Sequence, residues 1–161
     1  MKRYCIDASF FINGWNKTYR IDLFPQVWSA VGNLIECQQA RVSWEILKEV
    51  RQQKDGLCEW IDTHKGKIVR PGPEEQKAIR VLMRRYPNIA AQGRTPNAGD
   101  PWVIALAKAE DLIVVTDENP QAKANPNKPP KITYLCDQLG IDWMRPIDFL
   151  ADVLPPPNRQ I

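Results

Sequence analysis

Long hydrophobic runs are missing from this sequence of 161 residues. Its apolar runs, such as 103–107 and 112–115, are far shorter than the ~20 residues that a membrane-spanning helix needs. The basic start Met1-Lys2-Arg3 is followed neither by a long apolar region nor by a small-residue cleavage site. The sequence therefore predicts no signal peptide, and we expect a cytoplasmic protein without a membrane partner.

Histidine is also scarce, and the cysteines show no metal-binding spacing. The four cysteines, Cys5, Cys37, Cys58 and Cys136, form neither a Cys-x-x-Cys pair nor a zinc-finger spacing. They lie in apolar segments, and we interpret them as reduced core thiols. The single histidine, His64, stands beside Lys65-Gly66 at a predicted helix end and is expected at the surface. This scarcity fits a chemistry that needs neither side chain.

Neither sign of charge dominates the chain. There are 22 basic and 19 acidic residues, which gives a net charge of +3. This weakly basic balance permits a nucleic-acid partner but does not demand one. The hydrophobic share of 43% and the charged share of 25% are typical of a globular protein rather than a disordered one.

The length predicts one domain. All but one of the 14 prolines lie at or beyond position 71, the exception being Pro25, so the second half should contain more loop. We expect a single domain over residues 1–154 and a flexible proline-rich tail over residues 155–161.

Short strands are predicted to alternate with helices along the chain. The predicted strands are residues 3–7, 41–43, 67–69, 112–116 and 131–135. The predicted helices begin near residues 8, 24, 45, 57, 74, 100, 136 and 147, with Gly14 ending the first of them and a loop at 87–99. The unbroken apolar run at 112–116 indicates a strand buried on both faces. The alternation predicts an α/β fold with a parallel sheet and right-handed crossovers.

Acidic residues stand where such a fold gathers functional groups, at the carboxyl ends of the strands. Asp7 ends the first predicted strand and Asp117 ends the strongest one. Asp100 begins the helix that leads into that strong strand. Glu49, on the helix after the second strand, is the natural fourth acid, and Glu45 lies one turn earlier on the same face.

Carboxylates that converge in one cleft repel each other unless cations neutralise them. Hard oxygen ligands suit Mg²⁺ or Mn²⁺. One or two such ions can activate water and stabilise the leaving oxygen during phosphodiester cleavage. The pattern therefore favours a metal-dependent hydrolase.

Each acid also has a simpler interpretation. Asp7 and Asp100 are both favourable helix N-caps, and Asp100-Pro101 is an ordinary helix start. Asp117 could be a turn former. Glu49 could be a solvated charge on a helix surface. The joint pattern of the four favours the metal site over these separate alternatives.

Four segments resemble, in their order and spacing, the acidic motifs of the PIN domain: Tyr4-Cys5-Ile6-Asp7-Ala8-Ser9, Glu45-Ile46-Leu47-Lys48-Glu49-Val50, Asp100-Pro101-Trp102-Val103-Ile104-Ala105-Leu106-Ala107 and Val114-Val115-Thr116-Asp117-Glu118. The segments Phe24-Pro25 with Trp28, and Asp55-Gly56-Leu57 with Trp60, resemble one branch, the DUF4411 family of PIN-like, VapC-type proteins. The resemblance covers essentially the whole chain.

This resemblance implies a single PIN-like domain, with a central parallel sheet and helices on both faces. It implies a ribonuclease that depends on Mg²⁺ or Mn²⁺, often the toxin of a toxin–antitoxin pair. By motif match, Asp7, Glu49, Asp100 and Asp117 take the catalytic and metal-binding roles.

The same resemblance suggests residues that support the site. Ser9 and Thr116 match small hydroxyl residues beside the acids, and Glu118 is expected to be an auxiliary ligand. Glu45 and Glu49 each precede an aliphatic residue, so the choice of the helix ligand stays open between them.

The expected partners are an RNA substrate and a cognate antitoxin protein, and a homodimer is left open. Two alternatives remain for the function. One is a catalytically inactive PIN-like binding or scaffold protein. The other is a phosphohydrolase of the haloacid-dehalogenase type, which needs Asp-x-Asp where this chain has Asp7-Ala8-Ser9.

Overall fold

Four short strands form the centre of the computed structural model, which describes residues 1–89 and 100–156. They are β1 (Tyr4–Ile6), β2 (Ala40–Arg41), β3 (Ile113–Val115) and β4 (Trp143–Met144). Their order in the sheet is β2-β1-β3-β4, and every pairing is parallel. The predicted α/β fold with a parallel sheet is confirmed.

Eight α-helices connect the strands within the described residues. They are α1 (Ala8–Asn13), α2 (Pro25–Glu36), α3 (Trp44–Arg51), α4 (Gly56–Asp62), α5 (Pro73–Arg85), α6 (Asp100–Glu110), α7 (Ile132–Leu139) and α8 (Pro146–Val153). None of them is long and apolar enough to cross a membrane.

Helices cover both faces of the sheet, as successive side chains of β1 show. The ring of Tyr4 packs edge-on against Phe149 of α8, with 4.9 Å between ring centroids. The next side chain points to the opposite face, as strand geometry requires. There the thiol of Cys5 donates a hydrogen bond to the carbonyl oxygen of Val103 in α6, at 3.7 Å.

Aromatic side chains fill the face of the sheet that α1, α2 and α8 cover. Phe10 packs against Phe149 at 5.6 Å and against Trp28 at 6.0 Å between ring centroids. All three side chains are buried. Edge-to-face pairs of this kind add to the free energy gained from burying the rings.

Helix α6 runs antiparallel to the strands and so places its first residue at the carboxyl edge of the sheet. Its last residue, Glu110, forms ion pairs with Arg41, at 2.9 Å, and with Arg3, at 3.4 Å, on the far side. Arg3 directly precedes β1, so this end of α6 lies at the amino edge. Asp100 consequently begins the helix at the opposite edge.

The strand expected at 131–135 is wrong, because this segment forms the first half of α7. Ile132, Leu135 and Cys136 are buried, and their spacing makes an apolar stripe along a helix. Gly140 ends that helix in the left-handed region, with φ of 65°. The fourth strand of the sheet lies further along the chain, at β4.

Smaller expectations also differ from the structure. Cys37, expected to be a core thiol, is exposed, and Cys58 is only partly buried. In place of a strand at 67–69, a 3-10 turn spans Lys65–Lys67, and Val69 makes only an isolated parallel bridge with Ser43. Gly14 is the C-cap of α1, as expected, and it also begins a π-helical turn, Gly14–Thr18. Most of the loop expected at 87–99 and most of the tail expected at 155–161 lie outside the described residues.

The aromatic packing predicts a large loss of stability in Phe149→Ala. Truncating a buried phenylalanine removes apolar burial and leaves a cavity, so the free energy of unfolding should fall by about 3–5 kcal/mol. Urea denaturation measures this change. The control is Ile147→Ala on the same helix, where the side chain is 60% exposed and the expected change is within about 0.5 kcal/mol. Equal losses in the two variants would contradict the packing described.

Candidate metal centre

Asp7 occupies the end of β1 and anchors the site. Its backbone is extended, and its N–H donates to the carbonyl oxygen of Val115 at 3.0 Å, continuing the pairing of β1 with β3. The residue is only 2% exposed. Asp7 stands at the N-cap position of α1, without a side-chain capping hydrogen bond of good geometry. The backbone N–H groups of Ala8 and Ser9 nevertheless lower the pKa of its carboxylate, so Asp7 favours the start of α1 as well as belonging to the site.

Two hydroxyl groups hold the Asp7 carboxylate in place. Ser9 Oγ donates to Asp7 Oδ2 at 2.6 Å, and Thr116 Oγ1 donates to the same oxygen at 3.0 Å. The Ser9 hydroxyl in turn accepts a hydrogen bond from the N–H of Asp117 at 2.9 Å, and the Thr116 hydroxyl accepts one from the N–H of Glu118 at 3.2 Å. This network ties the ends of β1 and β3 together. Because both hydroxyls use Oδ2, neither of them engages Asp7 Oδ1.

Three carboxylates from different segments meet at this edge of the sheet. Asp7, Asp100 and Glu118 each offer a carboxylate oxygen, and these oxygens lie within 4.8 Å of one another. Asp100 is the first residue of α6 and is 6% exposed. Glu118 follows the end of β3, and it is partly buried. Residues more than a hundred positions apart in the chain thus form one acidic cluster, which we call the carboxylate cluster.

Burial and mutual repulsion disfavour the charged forms of these groups. Burial raises the pKa of Asp100 well above its usual value, and the charges of Asp7, Glu118 and Glu49 raise it further. Burial also raises the pKa of Asp7, against the opposing effect of the two hydroxyls and of the backbone N–H groups of Ala8 and Ser9. The pKa of Glu118 is raised by burial and by the Asp7 charge. A cation at this position would reverse these effects.

One oxygen of the cluster has no hydrogen-bond partner. Glu118 Oε2 is buried, and no donor among the described residues reaches it. Leaving a buried polar atom unpaired costs about 1–3 kcal/mol, and more when the group is charged. A hard divalent cation is a suitable partner for such an oxygen. The donor set, which consists of carboxylate oxygens close together, fits Mg²⁺ or Mn²⁺.

The two glutamates of α3 differ in their relation to the carboxylate cluster. The charge of Glu49 raises the pKa of Asp100, which places Glu49 near the cluster, although it is not one of the three residues within 4.8 Å. Glu45 forms an ion pair with Lys48 at 2.8 Å. Of the two candidates for the helix ligand, Glu49 is the one whose charge acts on the cluster.

Asp117 and Glu118 exchange their expected positions. The exposed carboxylate of Asp117 accepts a hydrogen bond from Asn13 Nδ2 at 2.8 Å and lies outside the group of three. Glu118, expected to be auxiliary, is a member of the group. Thr116 donates a hydrogen bond to Asp7. Glu118 lies at a bend two residues later, and its carboxylate lies beside that of Asp7.

The fold and this cluster define the class of protein: an α/β domain with a candidate divalent-metal centre at the carboxyl edge of its parallel sheet. The chain belongs to the family described as a domain of unknown function, DUF4411, whose model matches residues 4–153. No curated protein matches the sequence. The residues of the carboxylate cluster all lie within the matched range.

Asp100→Asn should change how the stability of the metal-free protein depends on pH. Because the pKa of Asp100 is higher in the folded protein than in the unfolded chain, the folded protein holds more protons between the two values. The free energy of unfolding therefore falls as pH rises through that window. In EDTA, the variant should gain stability relative to the wild type as the pH rises above about 4, by ~1.4 kcal/mol for each unit by which the pKa of Asp100 is raised in the folded protein.

Urea denaturation at several pH values measures this difference. Asp142→Asn is a matched control, because its exposed carboxylate lies next to the amino end of β4. A stability difference between Asp100→Asn and the wild type that stays constant with pH would refute the electrostatic account of the cluster.

Thermal unfolding with added Mn²⁺ distinguishes Glu118 from Asp117. An ion that binds the folded protein stabilises it by about 2.7 kcal/mol at a concentration 100 times its Kd. We expect Mn²⁺ to raise the Tm of the wild type and of Asp117→Asn. Glu118→Gln and Asp7→Asn should lose most of that increase. If Asp117→Asn loses the response and Glu118→Gln keeps it, the assignment of the ligands is wrong.

Proposed function

We propose that this chain is a divalent-metal-dependent ribonuclease of the PIN type, which hydrolyses phosphodiester bonds in RNA. The single observation that carries the proposal is the convergence of Asp7, Asp100 and Glu118 at the carboxyl edge of the sheet, with Glu118 Oε2 buried and unpaired. The resemblance of the acidic motifs to PIN domains supplies the substrate class, and the weakly basic charge is compatible with it.

Asp7, Asp100 and Glu118, with Glu49 nearby, would hold the cation. When bound, Mg²⁺ or Mn²⁺ lowers the pKa of a water molecule and offsets the charge that grows on the phosphate oxygens. In the proposed reaction, the oxygen of a water molecule bonds to phosphorus and the 3′ oxygen of the ribose leaves. A proton restores the 3′ hydroxyl, and the other product carries a 5′ phosphate.

The chain's own residues orient the site before substrate arrives. Ser9 and Thr116 fix one oxygen of Asp7 and leave the other free of these two hydroxyls. The N–H of Ile132, at the start of α7, and the charge of Lys131 both lower the pKa of Glu118. The positive charge of Lys131 and the N-terminus of α7 also favour the approach of a phosphate group.

The biological role we propose is that of a toxin in a toxin–antitoxin pair, acting on RNA in the cytoplasm and held inactive by a cognate antitoxin protein. This role rests on the resemblance to VapC-type proteins. Its direct check is growth arrest on expression of the chain, relieved by the product of an adjacent gene.

The structure gives the two alternatives less support. An inactive scaffold has no need to keep three mutually repelling carboxylates around an unpaired buried oxygen. A haloacid-dehalogenase-type phosphohydrolase needs a second aspartate at position 9. Here that position is Ser9, whose hydroxyl donates to Asp7.

RNA cleavage in the presence of Mg²⁺ or Mn²⁺ tests the proposal. Asp7→Asn and Asp100→Asn each remove one ligand of the ion. We expect the cleavage rate to fall about 100-fold or more, equivalent to ~3 kcal/mol of transition-state stabilisation. EDTA should abolish cleavage by the wild type.

Asp142→Asn is again the control and should cut as fast as the wild type. Cleavage that persists in the two cluster variants would show that the activity belongs to a contaminant or another site. Hydrolysis of p-nitrophenyl phosphate with no cleavage of RNA would favour the phosphohydrolase alternative. No activity on either substrate would favour the scaffold.

A further inference from the structure

A second feature lies beside the carboxylate cluster and takes no part in holding an ion. It is a cavity of about 170 Å³, lined by residues that include Thr18, Tyr19, Asp117 and Arg145. We call it the Tyr19 cavity. Its position is fixed by the sheet, since Asp117 follows β3 and Arg145 follows β4. Both therefore lie at the same carboxyl edge as the cluster.

The Tyr19 cavity is directly connected to the cluster. Asp117 precedes the cluster residue Glu118, and its N–H donates to Ser9, which donates to Asp7. Phe10, next to Ser9, also lines the cavity. A ligand in the cavity would thus contact Asp117, whose neighbour in the chain, Glu118, belongs to the groups proposed to act on the phosphate.

An irregular helix turn places Tyr19. The N–H of Tyr19 bonds the carbonyl oxygen of Gly14, five residues earlier, at 2.7 Å, and the Tyr19 carbonyl oxygen accepts a hydrogen bond from Trp28 Nε1 at 2.6 Å. Turns of the π type are rare and occur frequently at functional sites. The backbone of Tyr19 is therefore held from both sides while its ring borders the cavity and contacts Phe24 edge-on.

The chemical groups of the cavity are complementary to a nucleotide. The half-buried ring of Tyr19 offers an aromatic surface, and burial together with the nearby charge of Asp117 raises the pKa of its hydroxyl. The carboxylate of Asp117 uses Oδ2 for Asn13, so Oδ1 is available to a further donor. Arg145 is exposed, and among the described residues no carboxylate forms an ion pair with it.

We propose that the Tyr19 cavity is a nucleobase subsite for single-stranded RNA, an inference that rests on the proposed ribonuclease function. Tyr19 stacks on a base, Asp117 accepts a hydrogen bond from an N–H group on the edge of that base, and Arg145 contacts the adjoining phosphate. Recognition of unpaired bases by aromatic stacking and hydrogen bonds to their edges is the usual way in which proteins bind single-stranded RNA.

This assignment gives Asp117 a role that differs from that of its neighbour. Glu118 faces the other carboxylates and holds the ion, whereas Asp117 faces the cavity and contacts the base. Substitution of Asp117 should therefore raise KM and leave kcat nearly unchanged, while substitution of Glu118 should lower kcat.

The test measures binding of a fluorescently labelled single-stranded RNA of eight nucleotides by anisotropy, in the Asp100→Asn background with Mg²⁺. The background suppresses the proposed cleavage, so binding is read independently of activity. Tyr19→Ala should raise the Kd about 5- to 150-fold, the range that corresponds to removing a stacking side chain. Tyr19→Phe keeps the ring and should bind within about twofold of the background protein.

Arg145→Gln is a second variant, at an exposed position that does not threaten the fold. Loss of one phosphate contact should reduce the slope of log Kd against log salt by about 0.7. Leu23→Ala, at a side chain that is 62% exposed, is the control and should change neither quantity. Thermal unfolding verifies that each variant is folded.

Folded Tyr19→Ala and Arg145→Gln proteins that bind RNA like Leu23→Ala would overturn the subsite, even if the wild type cuts RNA. The expected binding changes, with no RNA cleavage by the wild type under any divalent ion, would leave the subsite standing and overturn the ribonuclease proposal. Wild-type kinetics complete the test, because Tyr19→Ala should raise KM at an unchanged kcat.

Discussion

The hydrogen bonds of Ser9 and Thr116 to one oxygen of Asp7 are the interaction on which the rest of the site depends. They favour the charged form of a buried carboxylate whose pKa burial raises. They also connect the ends of β1 and β3, which brings Glu118 to Asp7, while α6 brings Asp100 to the same place. Stability alone does not explain this arrangement, because the three carboxylates repel each other and one buried oxygen lacks a partner. A cation bound between them would offset this repulsion and give that oxygen a partner.

The same edge of the sheet carries both negatively and positively charged groups. The carboxylate cluster favours a cation, while Lys131, the start of α7 and Arg145 favour an anion. A phosphodiester held by a metal ion satisfies both. The Tyr19 cavity extends this edge with an aromatic surface, so that a nucleotide could place its phosphate at the cluster and its base against Tyr19. The proposed function and the proposed subsite are thus two parts of one RNA path along the sheet edge.

Much of this arrangement was predictable from the sequence, for physical reasons that can be traced. The unbroken apolar run at 112–116 is typical of a buried parallel strand, and Asp100-Pro101 marks a helix start. Asp7 ends the first predicted strand, and the carboxyl ends of parallel strands share one edge, so Asp7 and Asp100 were expected in the same site. Residues 131–135 were predicted as a strand because they include β-branched and aromatic residues. They lie in α7 instead, where the buried apolar stripe continues to Cys136. The exchange of Asp117 and Glu118 was not predictable in the same way, because both residues follow the end of β3 and Glu118 lies at a bend, where no regular spacing decides which side chain faces inward.

A crystal structure of the protein soaked in Mn²⁺, analysed by anomalous scattering, tests the central claim most directly. The account predicts a manganese peak coordinated by the carboxylates of Asp7, Asp100 and Glu118, with Ser9 and Thr116 still bonded to Asp7 and with Asp117 turned toward Asn13. Manganese coordinated by Asp117 with Glu118 turned away, or a cluster that stays without metal while Mn²⁺ binds elsewhere, would contradict it.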